Sequence, residues 1–328
     1  MSKKFKWGIL STANIGRKAM IPALQASAMA EVAAVASRDM DRARQFADEL
    51  SIPKAYGDYQ ALLDDPEIDA IYNPLPNHLH KPWSIQAAEA GKHILCEKPL
   101  ALNTRECEEM IAAAESNHVI LMESFMYRHH PRIQAAAKMV RAGELGEIKT
   151  IESAFTFRLR DKDDIRYQPE MGGGAVMDVG CYCINLSRLI AGREPKAVQA
   201  RATWSDSGVD QQLVGLLDFG NGLLAHFDCG FKQSRRQRAI IAGTERFMVL
   251  RDVFVPGTKP TQVHIVQDDD TQIHSFEGVD ECRLIAEDFM RAIEKGETPT
   301  PPSDAVMNLR VIQALLESAK ADVKTIKL

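Results

Sequence analysis

Two groups of residues in this chain have types and spacing suited to chemistry. The run Ala90-Gly91-Lys92-His93-Ile94-Leu95-Cys96-Glu97-Lys98-Pro99 reads as a helix end, a short strand and a lysine at the strand's carboxyl edge, with a proline behind it. Gly91 suits a left-handed helix terminus, and Ile94-Leu95-Cys96 is an apolar run of strand type. In open α/β sheets ligands bind at that edge, so Glu97 and Lys98 are candidate ligand contacts; an ordinary surface lysine is the competing explanation. Further on, Gly172-Gly173-Gly174 leads into a helical stretch, Ala175–Ile190, that stops at Gly192. Asp178, Tyr182 and Asn185 fall at i, i+4 and i+7 there and share one face. A polar stripe is ordinarily a helix's solvated side. Here the triple glycine points to backbone in close approach to another group, and Gly180 inside the helix costs about 1 kcal/mol relative to alanine.

A third group suits a phosphate. After Trp7-Gly8-Ile9-Leu10 comes Ser11-Thr12-Ala13-Asn14-Ile15-Gly16, where a dinucleotide fold would place Gly-x-Gly-x-x-Gly. Only the last glycine is kept. Ser11 and Ala13 are nevertheless the smallest side chains short of glycine, and Ser11 and Thr12 add hydroxyl donors for phosphate oxygens; a chance strand–turn–helix would look similar. At the end of the next strand, where an acid would bind the ribose 2′-hydroxyl of NAD, stands Ser37-Arg38. A hydroxyl and a guanidinium suit a 2′-phosphate, which favours NADP over NAD, against an arginine that merely starts a helix in solvent. Pro74-Leu75-Pro76-Asn77-His78-Leu79-His80 follows the next strand and holds an extended loop at the same sheet edge, with Pro74, Leu75, Asn77 and His80 as cofactor contacts. Asn77 is also placed to cap the following helix.

The elements that must position these residues fall into two halves. Strand-type segments Phe5–Leu10, Glu31–Ser37, Asp69–Asn73, His93–Cys96 and Val119–Glu123 alternate with helices that have Asp39, Asp58 and Asn103 as N-caps, Asn103 in capping-box spacing with Glu106. Pro22 should kink or restart the first helix. This alternation predicts a Rossmann-type domain over 1–125 with a parallel, doubly wound sheet. Beyond it, Lys196–Trp204 alternates, Leu213–Phe219 and Leu223–Phe227 flank the hairpin signal Gly220-Asn221-Gly222, and Arg238–Ile241, Phe247–Leu250 and Val263–Val266 are further strands. With helices near 280–295 and 303–320, residues 126–328 are expected to form an α+β domain with an open, mainly antiparallel sheet. One face of that sheet should find cover in a homodimer or higher homo-oligomer.

The composition is that of an ordinary globular protein of about two domains: 328 residues, 45% hydrophobic and 26% charged, net charge -5. That charge gives no general attraction to nucleic acid or to anionic membranes. Met1–Leu10 lacks the apolar stretch of a signal peptide, and six cysteines in a chain of this length do not form a disulfide framework; a cytoplasmic protein is expected. His78-x-His80 and His129-His130 are the histidine clusters, and without Cys-x-x-Cys or His-Glu-x-x-His beside them no metal site is expected.

Trp7–Gly16, Pro76–His80, Ala90–Pro99, Glu123-Ser124-Phe125-Met126-Tyr127-Arg128 and Gly172–Tyr182 together resemble the glucose–fructose oxidoreductase / inositol dehydrogenase (Gfo/Idh/MocA) family over essentially the whole chain. The resemblance is nearest to NADP-dependent D-xylose or D-glucose 1-dehydrogenases and dimeric dihydrodiol dehydrogenases. It implies that Lys98 and Tyr182 are catalytic and that Asp178, Asn185 and Arg128 contact substrate. Inositol dehydrogenases carry an Asp–His pair where this chain has Asp178 and Tyr182, which weighs against an inositol substrate.

The implied reaction moves a hydride between a nicotinamide and a carbon bearing a hydroxyl or carbonyl, with a base to take the hydroxyl proton. Tyrosine, with a pKa of about 10, needs a lysine ammonium nearby to serve at neutral pH, and that ammonium also stabilises a developing alkoxide. An aldose 1-dehydrogenase is the leading expectation, a dihydrodiol dehydrogenase or dicarbonyl/ketosugar reductase the alternative, and a dinucleotide-binding regulatory protein the non-enzymatic one. Phe155, Phe157, Arg160, Arg166 and Tyr167 belong to the region that sets specificity, and the sequence does not place them; Phe155 and Phe157 share a strand face, as core or as sugar platform.

Overall fold

A computed structural model describes residues 4–328; Met1–Lys3, part of the run expected to lack a signal peptide, lie outside the described residues. The chain forms two compact units, one running to Met126 and including Asp280–Val306, the other comprising Tyr127–Val279 and Met307–Leu328.

In the first unit six strands, β1 (Phe5–Leu10), β2 (Ala30–Ala36), β3 (Lys54–Tyr56), β4 (Ala70–Asn73), β5 (His93–Cys96) and β6 (Leu121–Glu123), form a sheet of order β3-β2-β1-β4-β5-β6. All its pairings are parallel, as strand–helix alternation requires, and the order reverses between β1 and β4. The three expected caps are formed: Asp39, Asp58 and Asn103 accept from Arg42 N, Ala61 N and Glu106 N. Glu106 completes a shifted capping box, accepting from Leu102 N at 3.2 Å. A wide π-turn, Gly16–Met20, passes into the helix Ile21–Gln25 with Pro22 in its first turn, so the proline restarts the helix. The edge strand β3 is three half-exposed residues, too short and too polar to show an alternation.

The helix Glu281–Lys295 belongs to this unit. Its buried face, Ile285, Ala286, Phe289 and Met290, joins a core with Trp7, Met20, Leu24 and Tyr72, and the Phe289 ring lies 5.3 Å from that of Trp7. A second domain running unbroken from 126 to 328 therefore misplaces residues 280–306: an amphipathic helix late in the chain completes the core of the first unit.

The second unit holds β7 (Ile148–Arg158), β8 (Ala197–Trp204), β9 (Asp210–Asp218), β10 (Leu224–Gly230), β11 (Lys232–Gly243), β12 (Phe247–Arg251), β13 (Thr261–Gln267), β14 (Asp270–Phe276) and β15 (Ile326–Lys327). Their order is β14-β13-β12-β11-β7-β10-β9-β8-β15, antiparallel except for β7 with β10. The β9–β10 hairpin turns through Gly220, Asn221 and Gly222, all at positive φ. One sheet face buries Leu213, Leu217, Ala225, Phe227 and Cys229, and the helix Cys181–Ala191 packs on β7 and β10. On the other face a cross-strand row runs Leu216, His226, Glu152, Ile240, Val249, His264, Ile273. Val214 is 50% exposed and Ile273 51%, with Leu216, Leu224 and Phe247 also open to solvent. β14 escapes sequence reading because its residues are nearly all exposed or half-exposed, leaving no apolar period.

Candidate active site

In the first unit the candidate ligand residues meet at the carboxyl edge of the parallel sheet. Ser11 leaves β1 at φ +92°, in the backbone region where glycine would normally sit, and its hydroxyl accepts from Ala13 N at 3.3 Å. Asn14 and Ile15 are exposed at the start of the following helix, Ile15 to 41%. At the end of β2, buried Ser37 accepts from Asp39 N, and Arg38 is exposed, with Arg38 and Arg42 both close enough to act on the Tyr59 phenol. Burial, outweighing both arginines, raises the Tyr59 pKa. A turn with a small residue at positive φ, an exposed helix start and an arginine beyond β2 together fit a dinucleotide with a 2′-phosphate.

Lys98 is pinned from both sides. Before it, Tyr72 donates to Glu97 Oε1 at 2.6 Å. Burial raises the Glu97 pKa, against the opposing pull of Lys98 and of the Tyr72 hydrogen bond. After it, the Lys98–Pro99 peptide is cis, and Leu100 N donates to Glu123 Oε1 at 2.8 Å. His80 closes the frame: Nδ1 lies 3.0 Å from Pro99 O and Nε2 2.7 Å from Leu75 O. Its ring is fully buried, and desolvation, with the Lys98 charge adding to it, lowers its pKa to about 4. The expectation that His80 touches a cofactor is corrected here: with no exposed surface it reaches no ligand and instead ties the Pro74–Asn77 loop to the Lys98 turn. Buried Asn73 organises that loop, accepting from Leu75 N and donating to His80 O and Ser84 Oγ.

In the second unit the candidate helix begins as a π-turn, Val176–Gly180, and continues as Cys181–Ala191 to a left-handed Gly192. Tyr182 is 3% exposed and walled by Tyr127, Phe155 and Phe254, ring centroids 5.8, 5.4 and 5.4 Å away. Phe155 stacks on Phe254 at 5.3 Å, so it serves as the wall of the Tyr182 site, while Phe157 packs on Phe231. Asp178 Oδ2 accepts from Arg166 Nε at 2.8 Å, and Asp164 holds the same guanidinium. The triple glycine makes this possible: a Cβ on Gly173 would stand 2.5 Å from Arg166 O, and Gly174 N donates to that carbonyl at 3.0 Å. The close approach expected of these glycines is, for Gly173, to the chain's own 165–168 turn and, for Gly174, to the Asp210 carboxylate.

Asn185 is fully buried, with its Oδ1 accepting from Tyr127 at 2.6 Å and from Arg128 at 3.4 Å. Its assignment as a substrate contact is therefore corrected. It supports the Tyr127–Arg128 segment, and Arg128 is half-buried beside it. Arg166 was visible in the sequence but not placeable, because its reach to Asp178 depends on the glycine-packed turn. Tyr72, Tyr59 and Phe254 carry no motif that marks them in the sequence.

Comparison with known proteins gives these residues a context. Residues 5–125 match the family described as oxidoreductase family, NAD-binding Rossmann fold (GFO_IDH_MocA), and residues 133–249 match the GFO/IDH/MocA C-terminal domain. The chain is 42% identical over 317 residues to a D-xylose 1-dehydrogenase (NADP(+)) of Haloferax volcanii, covering 96% of this chain and 97% of that protein. It is 33% identical over 316 residues to a dTDP-3,4-didehydro-2,6-dideoxy-alpha-D-glucose 3-reductase of Actinomadura kijaniata, covering 95% of each. A crystal structure of a 3-ketoreductase from Actinomadura kijaniata with NADP and TDP-benzene superposes with a TM-score of 0.92 at 31% identity, covering 96% of this chain and 98% of that one.

Proposed function

Because the chain belongs to the Gfo/Idh/MocA oxidoreductase family, we propose that it is an NADP-dependent sugar dehydrogenase in which Lys98 and Tyr182 serve one reaction, oxidation of an aldose-type hydroxyl. The observation that carries this reading is the framing of Lys98: its flanking residues Glu97, Pro99 and Leu100, at the carboxyl end of β5, are held by Tyr72, His80 and Glu123, three side chains from three elements. Ser11, Thr12, Ala13, Asn14 and Ile15 would cradle the pyrophosphate, and Ser37 and Arg38 the 2′-phosphate, with Pro74, Leu75, Asn77 and Glu97 lining the same sheet edge. When bound there, NADP(H) takes up or supplies the hydride.

The chain's own groups handle the proton and the oxygen. Tyr182 takes the hydroxyl proton in oxidation and returns it in reduction, and Lys98 supplies a positive charge to the reacting oxygen. Asp178, oriented by Arg166, accepts from substrate hydroxyls. The aromatic wall around Tyr182 excludes water and suits the apolar face of a sugar ring. The related xylose dehydrogenase favours an aldose substrate; the related 3-reductase keeps ketosugar reduction as the second reading. Assaying aldoses, ketosugars, dicarbonyls and a dihydrodiol with both NADP(H) and NAD(H) separates them; no turnover with any sugar would overturn the assignment.

The exposed apolar residues of the open face, Val214, Leu216, Leu224, Phe247 and Ile273, support association with a second copy of the chain through that sheet, a homodimer or a higher assembly. Among the described residues no helix is long and apolar enough to cross a membrane. The six cysteines are all unpaired thiols, which suits a reducing compartment, and a cytoplasmic location is part of this reading.

A further inference from the structure

The helix that carries Asp178 and Tyr182 has no capping side chain of its own. Its first residues follow three glycines, and neither Ala175 nor any neighbour in sequence supplies a side-chain cap. The amides at a helix start nevertheless need acceptors. Asp210, the first residue of β9, supplies one from a different element: its Oδ2 accepts from Val176 N at 2.8 Å. Asp210 is 2% exposed. Gly174 is what lets the carboxylate in, because its φ is +117° and a Cβ there would collide with Asp210 Oδ1. The other end of the same π-turn is seated as closely, with a Cβ on Gly180 falling 2.9 Å from Cys229 Sγ.

We propose that Asp210 is a positioning residue for the reaction, its carboxylate holding the first turn of the helix on which Asp178 and Tyr182 stand. This rests on the reading of Tyr182 as the proton-transfer group. A carboxylate on helix-start amides makes charge-assisted hydrogen bonds and meets the positive end of the helix dipole; protonated, it holds the turn more weakly. Burial raises the Asp210 pKa to about 7, against the lowering effect of the backbone amides and of Lys320, so ionisation falls within the working range. Lys320 comes from the helix Ser303–Lys320 and lies over the Trp204 ring. From β10 the titratable neighbour is Cys229, whose thiol is pushed up chiefly by burial and also by Asp210; on the turn itself the one ionisable residue, Asp178, is tied to Arg166.

The test is the pH dependence of kcat in both reaction directions for the full-length enzyme, Asp210→Asn, Asp210→Ala and Tyr182→Phe. A proton-transfer group gives limbs of opposite sense in oxidation and reduction, whereas a positioning ionisation weakens kcat on the acid side in both. The expected result is a several-fold acid-side loss near pH 7 in the reductive direction of the wild type. It should be absent in Asp210→Asn, which keeps an acceptor oxygen but cannot ionise, with the KM for NADP(H) unchanged within twofold. Asp210→Ala should lose tenfold or more in kcat at every pH. If it fails to fold, Asp210→Asn alone decides. An unaltered acid limb in Asp210→Asn, with Tyr182→Phe inactive, overturns the proposal and leaves the site reading intact. Near wild-type turnover by Tyr182→Phe overturns the site reading and the proposal with it.

Discussion

The Tyr127 hydroxyl donates to Asn185 Oδ1 at 2.6 Å, and neither side chain has any exposed surface. This bond fastens the Tyr127–Arg128 segment to the helix of Tyr182, and Tyr127 is also one wall of the Tyr182 site. Replacing Asn185 by Ala removes the acceptor from a buried phenol and should cost about 1–3 kcal/mol of stability, read by urea denaturation. NADP affinity should not change, since the proposed cofactor residues lie in the other unit.

Arg38 is expected to decide cofactor preference. Losing a guanidinium–phosphate contact costs about 1.5–3 kcal/mol, the range for hydrogen bonds to charged groups. Arg38→Ala should therefore weaken NADP binding by roughly tenfold or more and leave NAD nearly unchanged. Equal loss for both cofactors, measured by titration calorimetry, would remove the assignment.

Lys98 and Tyr182 should behave as one unit. Lys98→Met and Tyr182→Phe are each expected to lower kcat by orders of magnitude with little change in cofactor affinity, because their interactions matter chiefly in the transition state. The double variant should be little worse than the poorer single one. Additive losses in steady-state kinetics would separate their roles.

Much of this could be read from the chain before its structure, and what could not has identifiable causes. The strand–helix alternation that makes the first sheet parallel, the caps at Asp39, Asp58 and Asn103, and the turn at Gly220–Gly222 each follow from local residue chemistry. His80 and Asn185 were misassigned because a polar residue inside a motif looks the same whether it faces a ligand or a buried carbonyl. Asp210 carried no signal at all: it caps a helix more than thirty residues earlier in the chain, and no local pattern records a cap supplied from a distant strand.

His80 makes the fold sensitive to acid. Its pKa is lowered from the ordinary 6.5 to about 4 by burial, so the unfolded chain binds more protons between these values and stability falls as pH drops from about 6.5 through 4. The loss from this group alone should reach about 3 kcal/mol at the acid end. Thermal denaturation of wild type and His80→Gln at pH 7 and pH 4.5 checks this: the variant starts lower but should show a smaller drop between the two pH values. An equal drop in both proteins would place the acid sensitivity elsewhere.

The open sheet face should hold the oligomer together. Leu216 and Val214 lie on one strand of that face, both exposed. Charges there, as in Val214→Glu with Leu216→Lys, should shift the mass seen by light scattering at micromolar concentration towards the monomer while the circular dichroism spectrum is retained. A wild-type protein that is already monomeric would exclude the interface.

The helix Glu281–Lys295 packs Phe289 against Trp7, joining residues almost at opposite ends of the chain, and this sets an order of events during synthesis. As the nascent chain emerges, the six parallel strands are complete by Glu123, yet the surface formed by Trp7, Met20 and Leu24 stays uncovered until some 160 further residues have been made. Throughout that interval the chain presents an unfinished apolar surface of the kind that chaperones bind and that aggregates recruit. A ribosome stalled before residue 280 would hold a nucleotide-binding sheet still waiting for its last helix.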